Sequence, residues 1–94
     1  MKKTKPTKVR IEVTAKDIKR GKPEEQKSCP IALAIRRIVP RRIWKDWYGV
    51  SRDHVDFGGI YPVVYLPMAA QRFVERFDDG KTVKPFTFLL PFPK

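Results

Sequence analysis

The chain holds one cysteine and one histidine in 94 residues. A lone Cys29 excludes an intrachain disulfide and a multi-cysteine zinc site, and a lone His54 weakens any metal-site reading further. No long apolar run is present, so neither a membrane span nor a signal peptide is expected, and a reducing, cytoplasmic setting follows. Acidic residues are scarce too: ten stand against 21 Lys and Arg, leaving a formal net charge of +11. Solubility of a small domain requires less than that. The excess points to a polyanionic partner, of which nucleic acid is the commonest.

What the sequence does contain is material for one modest core. Hydrophobic residues make up 41% of it, enough for a single domain without covalent staples. The cations are unevenly spread. Residues 1–22 carry nine basic and two acidic residues, and residues 36–45 carry five basic and none acidic. The first of these tracts opens with MKKTKPT, so residues 1–7 read as a mobile basic arm and residues 8–94 as a single α+β domain.

Along that domain, KVRIEVT alternates, with Val9, Ile11 and Val13 on one face of a strand. Thr14 and Asp17 have capping-box spacing ahead of Gly21, which predicts one or two helical turns, and KPEEQKS is loop. A helix starts at Ser28 or Cys29 with Pro30 in its first turn; Ile31, Ala34, Ile35 and Ile38 share a face, and Pro40 ends it. Residues 41–47 read as loop or an irregular turn. YGVSRDHVDF reads as one strand with a bulge near Arg52 and Asp53, because Val50 is out of phase with Val55 and Phe57. Gly58-Gly59 signals a hairpin returning through IYPVVYL. Pro62 cannot fill a hydrogen-bonded ladder position, which favours a longer loop from Phe57 to Ile60 or a ladder that stops early. Pro67 opens a second helix with Ala70, Phe73, Val74 and Phe77 as its stripe, and KPFTFLLPF closes the fold as an edge strand.

The order is β-α-β-β-α-β once the short turn at 15–20 is set aside. It predicts a ferredoxin-like two-layer sandwich with both helices on one face of a four-stranded antiparallel sheet. The expected core is Val9, Ile11, Val13, Ile31, Ile35, Ile38, Val63, Tyr65, Phe73, Phe77, Phe86, Phe88 and Leu90.

Chemistry-bearing residues are few. His54 lies between Asp53 and Asp56, but a second histidine, a metal cluster and an activated nucleophile are missing, so no enzyme and no cofactor are expected. Cys29 reads as a small buried apolar residue. Asp78 and Asp79 read as forming the turn before Gly80 through their own side chains. The dense feature is the stretch from Arg36 to Arg52, where Arg36, Arg37, Arg41, Arg42, Lys45 and Arg52 interleave with Trp44, Trp47 and Tyr48. Guanidiniums neutralise phosphates and flat rings stack on unpaired bases, although tryptophans in so short a chain are more often core. Leu33 is an apolar centre rimmed by arginine, or it is covered by the loop carrying Trp44 or Trp47. An RNA-recognition mode on the open sheet face is not expected, since its basic-Gly-aromatic run is absent and Tyr61 and Tyr65 would face outward only in another register.

SCPIALAIRRI, and later YLPMAAQRFVERFDDGKTVKPFTFLL, resemble small bacteriophage-encoded proteins. These share a strand followed by T-x-x-D-I, a CPIALA helix and an LP…A…F…FD-G…PF.F ending, over roughly residues 9–90. The shared motifs are helix starts, apolar stripes and turns, and no activity attaches to them. The resemblance implies expression in the cytoplasm of an infected bacterium, where small non-enzymatic phage proteins bind host machinery, including defence complexes. The expected function is therefore a basic binding protein that contacts nucleic acid, RNA or DNA, or a nucleoprotein complex. The contacts would come from Lys2, Lys3, Lys5 and Lys8 together with Arg36, Arg37, Arg41, Arg42, Trp44, Lys45 and Arg52. The alternative is a protein-binding inhibitor of a host defence complex, anti-CRISPR-like or directed at a nuclease, with Leu33 and Trp44 at its centre.

Overall fold

Alternation sets the first strand, as its sequence requires. In the computed structural model, which describes residues 7–59 and 61–92, β1 (Thr7–Val13) buries Ile11 and Val13 completely and Val9 in part, while Lys8, Arg10 and Glu12 are exposed. Its partner is β5 (Phe86–Phe92), antiparallel, in a register that sets Val9 against Leu90, Ile11 against Phe88 and Val13 against Phe86. Apolar residues face one another across the pair, the arrangement that most stabilises a two-stranded ribbon.

Between them α1 (Ala15–Arg20) starts on a complete capping box: Asp17 N–H donates to Thr14 Oγ1 at 3.2 Å, and Thr14 N–H donates to Asp17 Oδ2 at 2.9 Å. α2 (Pro30–Ile38) buries Pro30, Ile31, Ala32, Ala34 and Ile35 and packs on β1 and α1. Each of the two fully buried isoleucines contributes about 1.5–3 kcal/mol over an exposed one. α3 (Arg41–Trp44) is a single helical turn where a loop or irregular turn was expected, and it buries Ile43. α4 (Met68–Asp78) buries Ala70, Phe73 and Val74, and Phe73 stacks on Phe86 of β5 with ring centroids 4.8 Å apart.

The expected four-stranded sheet is not formed. The strands make a two-stranded sheet, β1–β5, and a separate three-stranded one. The cause lies in residues 49–56, which double back instead of running through as one bulged strand. β2 (Gly49–Val50) pairs with β3 (His54–Asp56), and Val50 sits directly opposite Val55. Two valines that are out of phase along one strand are in phase across a hairpin. β4 (Val64–Tyr65) then pairs with β3, Val64 against Val55, which leaves Pro62 outside the ladder. This register also overturns two expected core positions: Val63 is 39% and Tyr65 67% exposed, and Val64 and Leu66 are buried in their place. Trp47, Val50, Val55 and Phe57 complete the core on that side, with Trp47 stacked on Phe57.

The polar segment 22–28 is a loop, as expected, but a firmly held one. Lys22 N–H donates to Ser28 O at 2.9 Å and Val50 N–H donates to Gln26 O at 2.8 Å. Gly49 has φ 111°, and a Cβ there would lie 2.6 Å from Gln26 O, so no other residue fits. Asp78 belongs to the same assembly. Its Oδ1 accepts from Glu24 N–H at 2.8 Å, a contact across the fold rather than the local turn expected of it, and Glu24 is held at φ 61°.

Candidate nucleic-acid interface

The cationic site is built by three short helices. Residues Lys16 and Arg20 stand one helical turn apart on α1, Leu33 and Arg36 stand on α2, and Trp44 ends α3. Together with Asp17 and Arg37 they line an open hollow of about 520 Å³. Its walls are fixed by Arg37. One guanidinium nitrogen donates to Asp17 Oδ1 at 2.6 Å and the other to the Glu12 carbonyl at 2.8 Å, which ties α2 to α1 and to the end of β1. Burial pushes the Asp17 carboxyl up, but the hydrogen bonds from Arg37 and Thr14 and the Arg37 charge outweigh it and hold the group below its ordinary value. The Asp17 bond in turn raises Arg37. Asp17 is thereby committed, and among the described residues the remaining cations of the hollow have no carboxylate partner.

Trp44 is the organising ring. Its indole N–H donates to the Val39 carbonyl at 2.8 Å, satisfying an acceptor at the end of α2 and fixing the corner between α2 and α3. The guanidinium of Arg36 lies 5.4 Å from the ring centroid and that of Arg41 6.0 Å from it, both within cation–π range. Trp44 and Leu33 are each half-buried, so the hollow has an apolar, partly open patch beside the buried Asp17 carboxylate. The two tryptophans divide the roles that the sequence left open, since Trp47 is buried at 4% exposure.

The structure brings only part of the expected cluster together. Leu33, Arg36, Arg41 and Trp44 converge. Arg37 is there as well, but it serves as a structural clamp rather than as a free cation. Arg42 and Lys45 are exposed on and just after α3, and Lys8 is exposed on β1. Arg52 lies elsewhere: it lines a separate cleft with Glu24, Glu25 and Asp78, where the local charge is negative. Lys2, Lys3 and Lys5 lie outside the described residues. Two residues were missed, Lys16 and Arg20. Their signal was legible, because the capping box that starts α1 puts positions i and i+4 on one face.

The other chemistry-bearing residues do not join the hollow. His54 Nδ1 is 2.7 Å from Asp53 Oδ1 at the turn of the β2–β3 hairpin, its ring edge-on to Tyr65. Asp56 is occupied by the Gly58 N–H at 2.9 Å. Cys29 is buried, and burial pushes its thiol up to about 11, so it packs as an apolar residue. Compared with known protein families, with curated proteins and with solved structures, the chain has no significant match.

Proposed function

We propose that the protein binds nucleic acid through the face formed by α1, α2 and α3, by neutralising backbone phosphates with little sequence preference. The observation that supports this most directly is the charge balance of the hollow, where Lys16, Arg20 and Arg36 stand without carboxylate partners and the single acid is committed to Arg37. Cations placed together without internal partners repel one another in the free protein, and a polyanion relieves that repulsion. Binding of this kind releases counterions, so affinity falls with salt at a log–log slope of about −0.9 per phosphate on duplex DNA. Expression inside an infected bacterium, which the resemblance to phage proteins implies, would put the chain beside host nucleic acid and nucleoprotein complexes.

A gel-shift titration against short RNA, single-stranded DNA and duplex DNA at two salt concentrations tests the reading. Submicromolar binding that weakens steeply between about 50 and about 200 mM salt is expected. Absence of binding at physiological salt would remove it in favour of the protein-binding reading. For that reading, the exposed Tyr48, Tyr65 and Met68 supply the residue types that anchor interfaces.

A further inference from the structure

We propose that the hollow between α1 and α2 receives one unpaired nucleotide, so that the face selects single-stranded over duplex nucleic acid. This deepens the reading above and rests on it. A surface that met phosphates alone would need only cations. This one sets Leu33 and the half-open ring of Trp44 beneath a rim of Lys16, Arg20 and Arg36. At about 520 Å³ the open hollow falls within the volume range of ligand-binding clefts. Its two chemistries are those of a nucleotide, an anion joined to a flat apolar ring.

The geometry also says how a base would lie. The Trp44 ring is already covered by guanidinium, with Arg36 at 5.4 Å and Arg41 at 6.0 Å from its centroid. A base entering the hollow meets Leu33 and the Arg36 guanidinium that lies over the indole, and stacking on a guanidinium is an established way to hold an unpaired base. The phosphate then falls to Lys16 and Arg20 on the facing helix. A base within a duplex is stacked on both sides and can enter only by being extruded, which costs a few kcal/mol. Single strands, of RNA or DNA, do not bear that cost.

The test uses 12-nucleotide single strands of equal charge, a normal strand as RNA and as DNA and an abasic strand with the same phosphates, beside the 12-base-pair DNA duplex, which carries twice their charge. Binding is read by anisotropy of a labelled strand and by tryptophan emission, to which the buried Trp47, its ring 6.0 Å from that of Trp44, also contributes. The normal single strands should bind about tenfold tighter than the abasic strand and the duplex. They should also quench Trp44, and the quench should vanish in Trp44→Phe. Arg36→Ala should bring normal and abasic strands to equal affinity, an outcome that does not depend on altering the indole. Equal binding of abasic and normal strands by the unmodified protein would overturn the nucleotide pocket while leaving phosphate binding intact. Failure of all four nucleic acids to bind would remove both.

Discussion

The hollow of α1, α2 and α3 and the outer surface of α4 both carry several cations, yet they are built differently. On α4, Arg72, Arg76 and Lys81 share a depression with two exposed carboxylates, Glu75 and Asp79. A second depression, formed by Arg72, Arg76 and Lys84 over Phe73 and Phe86, begins among the same residues. In the hollow the only acid is Asp17, and it is withdrawn from the surface by burial and by its bond to Arg37. Counting Lys and Arg would rate the two faces alike. What separates them is that Glu75 and Asp79 stand exposed among the α4 cations, whereas the hollow's acid is already bound to Arg37.

Charge reversal gives the sharpest contrast. Lys16→Glu with Arg20→Glu should weaken nucleic-acid binding on the order of a hundredfold near 0.1 M salt, about tenfold for each lost phosphate contact. Arg72→Glu with Arg76→Glu should cost no more than about threefold, since the neighbouring Glu75 and Asp79 already offset part of those charges. Filter binding of the two double variants settles the matter, and equal losses would erase the distinction between the faces.

A smaller effect, on stability rather than binding, is expected where the hollow's acid is removed. Asp17→Ala deletes one half of the capping box and unpairs Arg37, and it should cost about 2 kcal/mol in denaturant unfolding, mostly from the cap and the buried hydrogen bonds. The Arg37 side chain is 46% exposed, so solvent screening keeps the ion pair's own share small. Asp79→Ala, on the mixed face, should stay within about 0.5 kcal/mol. A larger loss at Asp79 would mean that the α4 acids are structural as well.

The least pronounced effect is on pH dependence. The folded Asp17 carboxyl titrates below its ordinary value of 3.8, so on acidification the unfolded chain takes up that proton first. The stabilisation it supplies is complete above the unfolded value and disappears as pH falls through the folded one. Thermal melts from about pH 5 down to about pH 2.5 should therefore show a shallower acid-side decline in Asp17→Asn than in the parent. Parallel curves would assign the clamp to the backbone contacts of Arg37 alone.

How far the fold could be read in advance follows the range of the forces involved. The alternation of β1, the Thr14–Asp17 box, the Pro30 start and the Ala70–Phe77 stripe are each decided within about a dozen residues, and the elements lie where those signals put them. The register of β4 was not legible, because Val63, Val64, Tyr65 and Leu66 are apolar in both phases and periodicity has nothing to choose between. The hairpin at 49–56 was read as a flawed strand for a related reason: two valines separated by an even or an odd count are told apart only by knowing whether the chain turns. In the site, the density of Arg36, Arg41 and Trp44 was visible from sequence. Arg52 was grouped with them by nearness along the chain, and the fold sends it to an acidic cleft instead. Lys16 and Arg20 were passed over because the helix bearing them was set aside as a turn.

The pairing of β1 with β5 bears on how such a chain is made. Val9 meets Leu90 and Val13 meets Phe86, so the strand that leaves the ribosome early finds its mate only after residues 86–92 have followed. The three helices of the cationic face contact one another over short stretches of sequence and can assemble while synthesis continues, with their charges exposed to whatever polyanion is at hand. Closing the β1–β5 ribbon joins segments more than seventy residues apart, and until it happens the apolar side of β1 has no strand beside it.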